Sequence, residues 1–118
     1  MIKYYTSTGE RVSQATINVR RAKSYIENGY GVGSCAGCGK LAQGRAHTIA
    51  QARCKHLSKT ELIWNPANFW PSCHECNSLW ESYKNKDVTK LFNYASLLEF
   101  VKQHDLEGYQ KRINWHDN

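Results

Sequence analysis

The sequence predicts an α+β fold, with short strands clipped together by cysteines at the centre and helices at both ends. Three observations carry this. Two C-x2-C pairs, Cys35/Cys38 and Cys73/Cys76, have 34 residues between them. The segments outside them place apolar residues at helical spacing. Between them, short runs bounded by glycine, asparagine and proline read as strands and turns. The 118 residues suffice for one domain with a modest core. It divides into an N-terminal arm and helix (1–33), a central core (34–85) and C-terminal helices (86–118).

Residues 1–12 read as an extended arm with a turn at "STGE". From Ser13 the pattern turns helical, and Ala15, Val19, Ala22 and Ile26 share one face that should meet the core. Gly29 is the expected C-cap, with Gly31 and Gly33 continuing the break. Gly37 and Gly39 flank the second cysteine and suit a tight turn. "RAHTIA" is short enough for a strand, followed by a basic loop, "ARCKHLSK". "ELIWNPANFWPS" reads as a short strand, a turn at Asn65-Pro66 and a lead into the second cysteine pair. A helix should start near Cys76 and end about Lys84, with Asn77 and Glu81 on one face, four residues apart. Further on, Leu91, Tyr94, Leu98 and Val101 form an apolar stripe with Leu97 beside it. A break follows near His104-Asp105, and a last short helix or docking tail closes the chain.

Hydrophobic residues make up 41% of the chain, enough for a packed domain rather than a disordered one. No apolar run approaches the roughly 20 residues that span a bilayer. "MIKYYTSTGERV" lacks the apolar segment of a signal peptide, so the expectation is a cytoplasmic protein with no membrane partner. In that compartment cysteines stay reduced, and paired cysteines point to metal rather than disulfide. Two C-x2-C pairs supply four thiolates with the bite that tetrahedral zinc requires. The expected cofactor is therefore a structural Zn2+ on Cys35, Cys38, Cys73 and Cys76. A shell closed by four thiolates leaves no open position for catalysis. Cys54 reads as a small buried filler, His74, inside the second pair, as a residue facing solvent or a phosphate with replacement of a cysteine ligand as the lesser alternative, and the aromatics Trp64, Phe69, Trp70 and Trp80 as core and zinc shield. The net charge of +6 favours a polyanion, most often nucleic acid.

A cysteine pair, then "AH", "NPANF" and "CHECN" in that order resembles the HNH endonuclease family and its ββα-metal fold. Within that family the pattern is similar to the phage endonuclease VII-like and NinG-like subsets. The resemblance covers residues 34–85 and leaves the flanking helices unexplained. It implies a zinc-stabilised ββα-metal core in which His47 is the general base at the end of the first strand. Asn68 would pin the loop that orients the histidine, and Asn65 is the better turn former. Asn77 would bind a catalytic divalent cation, Mg2+ or Mn2+, through its amide oxygen, with Glu81 as the candidate second ligand; Glu75, inside the knuckle, suits that role less. Many members carry an aspartate directly before the histidine, where this chain has Ala46.

The resemblance therefore implies a metal-dependent DNA endonuclease in phage recombination or DNA processing, acting in the host cytoplasm. A neutral imidazole takes a proton from water near pH 7, and a hard cation polarises the phosphate. Basic residues around 45–59 and 84–90, with His56 in the basic loop, would hold backbone phosphates with weak sequence selectivity. Such resolvases often pair, so a homodimer is one arrangement implied. Ala46 favours a different reading, a zinc-stabilised DNA-binding module without catalysis. A third is a phage protein that binds and inhibits a host protein through its aromatics.

Overall fold

The computed structural model describes residues 3–29 and 33–117, so Gly31 in the predicted glycine break lies outside the described residues. The arm folds back on itself. β1 (Tyr4–Tyr5) pairs antiparallel with β2 (Arg11–Val12) around a turn closed at Thr6 and Gly9. The fully buried Thr60 donates its hydroxyl to the Tyr5 carbonyl at 2.7 Å and ties the arm to the core.

α1 (Gln14–Asn28) starts at Ser13, whose hydroxyl accepts from the Thr16 amide, and stops at Gly29 in the left-handed conformation. Its buried face is not the predicted one. Val19 is 68% exposed and Ile26 82%, whereas Ile17 and Ser24 are buried. The inner face is built from amphipathic side chains. The Tyr25 ring meets Phe69 edge-on at 5.0 Å, and the Arg20 guanidinium lies 5.0 Å over the Trp64 ring. Aromatic rings and arginine stems cover apolar surface without registering as an apolar stripe, which is why spacing alone chose the wrong side.

The centre is an antiparallel pair, β3 (Gly44–His47) on β4 (Phe69–Ser72), with His47 opposite Phe69 and Gly44 opposite Ser72. The chain between them is helical rather than open. α2 (Gln51–His56) occupies the expected basic loop. Two short 3-10 turns follow, Thr60–Ile63 and Pro66–Asn68, the first in place of the expected strand. Asn65 caps the second by accepting from the Ala67 amide. α3 (His74–Glu81) begins before the expected start near Cys76 and ends short of Lys84. The Cys73 sulfur accepts from the Cys76 amide and starts the helix.

α4 (Tyr94–His104) and α5 (Leu106–Asp117) complete the chain, with the break at Asp105 as expected. Leu97 and Val101 of α4 are buried, as are Leu91 and Val88 just before it. They join Ile17, Ile49, Ile63, Trp70 and Trp80 in one apolar core. The architecture is thus mixed α and β, with two small sheets and helices on either side of the central strands.

Candidate functional site

The four cysteines of the two pairs converge. Their Sγ atoms all lie within 4.8 Å of one another, and Cys38 and Cys73 stand 3.7 Å apart. Sulfurs about 2.3 Å from a tetrahedral zinc would be about 3.8 Å apart, so the donor set and its spacing fit such an ion. The amide of Gly37 points at Cys35 Sγ at 3.3 Å, and that of Cys76 at Cys73 Sγ at 3.4 Å. Such bonds stabilise thiolates. Burial, and then the three neighbouring sulfurs, push the Cys76 thiol up. Four such groups ionise together only beside a cation. Gly37 is required by close approach, since a Cβ there would lie 3.0 Å from both Cys76 Sγ and a Leu91 methyl. Gly39 has φ +80°, where side chains are strained. His74 is exposed on the first turn of α3 and stands outside the sulfur cluster.

β3 alternates between two surroundings, as strand residues do. Arg45 and His47 line a cleft of about 510 Å³, while Ala46 is 1% exposed in the core. Asn77, Glu81 and Arg112 line the same cleft. The structure thus brings His47, Asn77 and Glu81 to one cavity, and α3 presents the last two on one side. Ala46, the residue directly before His47, thus faces the core. Any cation ligands in the cleft must come from elsewhere, and Asn77 and Glu81 offer hard oxygen donors. Glu75 is not among the residues lining the cleft.

The His47 ring is fixed. Its Nε2 lies 3.0 Å from the Ile63 carbonyl, which can only accept, so Nε2 carries the proton and Nδ1 keeps the lone pair. Burial lowers its pKa, against the bond to Ile63 that raises it, and the nearby Arg21 lowers it further. The neutral imidazole is therefore the resting form at pH 7.

Asn68 sits beneath this arrangement and is fully buried. Its Oδ1 accepts from the Ile49 amide at 2.7 Å. Its Nδ2 donates to the carbonyls of Ile49 and Leu62, each at 3.0 Å. One amide thus joins the residues just after His47 to the turn that offers His47 its carbonyl. The Trp80 indole donates to Thr48 O at 2.9 Å and fixes the same segment from α3. Cys54 packs beside Asn68, and its thiol donates to Ile49 O at 3.4 Å. Burial pushes that thiol up to about 12, which makes it an inert core residue.

The basic side chains divide into braces and open charges. Arg53 forks onto Asp105 with two bonds of 2.9 Å. Lys55 donates to Gln14, and Lys59 to the His104 carbonyl. These join α2 and its flank to α1, α4 and the start of α5. His56 is exposed at the end of α2 and is not among the residues lining the cleft. Lys84, Lys86 and Lys90 are exposed. Arg45 lies 4.3 Å over the Tyr25 ring, and its Nε is buried without a hydrogen-bond partner. Arg112, in a helix to which the sequence assigned no chemistry, also reaches the cleft. Nothing in "QKRIN" distinguishes it from a solvated helix cation.

Of the aromatics, Phe69, Trp70 and Trp80 are buried and Trp64 is half-buried. Among the described residues, no helix is long and apolar enough to cross a membrane. No protein-family model, curated protein or solved structure matches the chain.

Proposed function

We propose that this protein is a metal-dependent DNA endonuclease of the HNH type, held in shape by a structural zinc on Cys35, Cys38, Cys73 and Cys76. The observation that carries the reading is one cleft lined by His47, Asn77, Glu81 and two arginines, with the His47 tautomer set by Ile63. In this reading the Nδ1 lone pair of His47 takes a proton from the attacking water. Asn68 is a positioning residue, because it fixes the carbonyl turn that fixes the ring. Asn77 and Glu81 would hold a divalent cation, Mg2+ or Mn2+, whose charge would supply polarisation of the phosphate and stabilisation of the leaving oxygen. Arg45 lies on the same strand face as His47 and supplies positive charge beside the scissile group. The zinc shell is closed and takes no part in hydrolysis. Action on phage DNA in the host cytoplasm, and pairing of two copies, belong to the same proposal.

The test is cleavage of supercoiled and branched DNA with Mg2+ or Mn2+. The expected result is cleavage that His47→Ala abolishes while zinc content and thermal midpoint persist. Salt-dependent binding without cleavage in either metal would instead support the non-catalytic DNA-binding module, which the core-facing Ala46 favours. The third reading, inhibition of a host protein through the aromatics, fits less well because Phe69, Trp70 and Trp80 are interior.

A further inference from the structure

Two cavities meet at Arg112. The first is the His47 cleft. The second, of about 300 Å³, is lined by Ile49, Arg53, Val101, Asp105, Gly108 and Lys111 among others, and it shares Thr48, Ala50, Tyr83 and Arg112 with the first. Arg112 therefore stands in the wall between them.

Its charge is unusual for its position. The guanidinium carbon lies 3.6 Å over the Trp80 ring and 5.1 Å from that of Tyr83, and Nη1 donates to the Trp80 carbonyl at 3.0 Å. Among the described residues no carboxylate forms an ion pair with it. Arg53, in the second cavity, shows the contrast, because it takes the buried carboxylate of Asp105 in a two-bond fork. Burial pulls Arg112 down to about 10, against Tyr94, Tyr83 and the Asp105 charge that raise it, so it remains charged at pH 7. Half-buried cations are ordinarily paired. The bond to the Trp80 carbonyl uses Nη1, and the other N–H groups of the guanidinium can donate to a phosphate, which presents two oxygens to such a fork.

We propose that Arg112 binds a backbone phosphate next to the scissile one and leads the nucleic-acid strand out of the His47 cleft into the second cavity. This rests on reading the cleft as a nuclease site. Lys111, 62% exposed and paired with Glu107 at 3.3 Å, lines the far cavity and is placed for the following phosphate.

The experiment measures binding of the zinc-loaded full chain to a short fluorescein-labelled DNA duplex in chelator-free buffer without Mg2+ or Mn2+ across a salt series, alongside cleavage kinetics in Mg2+. Arg112→Met keeps the stack on Trp80 and removes the charge. It should weaken binding about tenfold or more and lower the slope of log affinity against log salt by about one unit. KM should rise more than kcat falls. Lys23→Gln, on a residue lining neither cavity, should leave the slope unchanged. Arg112→Lys should keep the slope and lose affinity severalfold, since the charge stays and the fork goes; it serves also if the methionine variant does not fold. An unchanged slope in folded Arg112→Met, unchanged affinity in Arg112→Lys, or an equal drop in Lys23→Gln would overturn the proposal. If the wild type binds but never cleaves while Arg112→Met still lowers the slope, the nuclease reading fails and the phosphate contact stands.

Discussion

Asn68 and His47 carry opposite kinds of demand. Asn68 satisfies three backbone groups with one carboxamide, so its loss leaves the Ile49 amide without its partner in the interior and takes a donor from each of the Ile49 and Leu62 carbonyls. Asn68→Ala is expected to cost about 2–4 kcal/mol, read from a urea midpoint, and Asn68→Asp to fare no better, since it offers acceptors where donors are needed. His47 depends on staying neutral. Its folded pKa lies below the ordinary histidine value. That burial contributes stability above the unfolded value of about 6.5 and loses it as pH falls through the lowered folded value. The same sign governs the proposed reaction. A pH profile of kcat/KM should be flat near neutrality and fall on an acid limb that begins below about 6.5. A limb centred above pH 7 would contradict a base kept neutral by burial.

At the scale of elements, α1 and α5 make the sharpest statements. Ile17→Ala is expected to cost about 2–5 kcal/mol. Val19→Glu and Ile26→Lys, on the face that spacing had assigned to the core, should stay within about 0.5 kcal/mol. Thermal melts of the three variants test which face is inward. Gly108 reverses an ordinary rule. Glycine to alanine inside a helix commonly gains up to about 1 kcal/mol. Here the new Cβ would run into the Asp105 carboxylate, whose Cγ would be 2.9 Å away. That carboxylate accepts from the Gly108 amide at the start of α5 and from Arg53 of α2. Gly108→Ala should therefore destabilise by about 1–2 kcal/mol, measured by denaturant titration. The Arg53 guanidinium holds the Asp105 carboxyl below its ordinary range, against the opposing effect of burial. This brace contributes above about pH 4 and weakens as pH falls through the lowered value.

Over the whole molecule, the cysteine clip is the principal organiser. Structural zinc binding is worth on the order of 10–16 kcal/mol, as much as the net stability of a small domain. A chelator, or Cys76→Ser, should unfold the central region, with circular dichroism and one bound zinc per chain as the readouts. Restoring zinc should restore the fold of the wild type. These parts were legible in the sequence because they are local: ligand spacing in Cys35/Cys38 and Cys73/Cys76, the short β3, the break at Asp105. The inward side of α1 was not, because Tyr25 and Arg20 do the packing that a hydrophobic pattern would credit to Val19 and Ile26. Nor was α2, a six-residue helix too short and too basic to show a period. Of the cleft lining, His47, Asn77 and Glu81 had been singled out in the sequence as candidate site residues, and they share the cavity. Arg112 escaped, since its place depends on a contact with Trp80 32 residues earlier in the chain.

The strands that frame His47 are neighbours in space but are separated by residues 48–68. Joining them means closing a long ring of chain before any ladder bond forms, and that entropy is lost in advance of the reward. The second cysteine pair follows β4 immediately, so capture of an ion by all four sulfurs would draw that strand to its mate. Assembly of the His47 cleft would then keep time with the supply of free zinc: swift in a replete cell, and stalled with its apolar interior uncovered in a starved one.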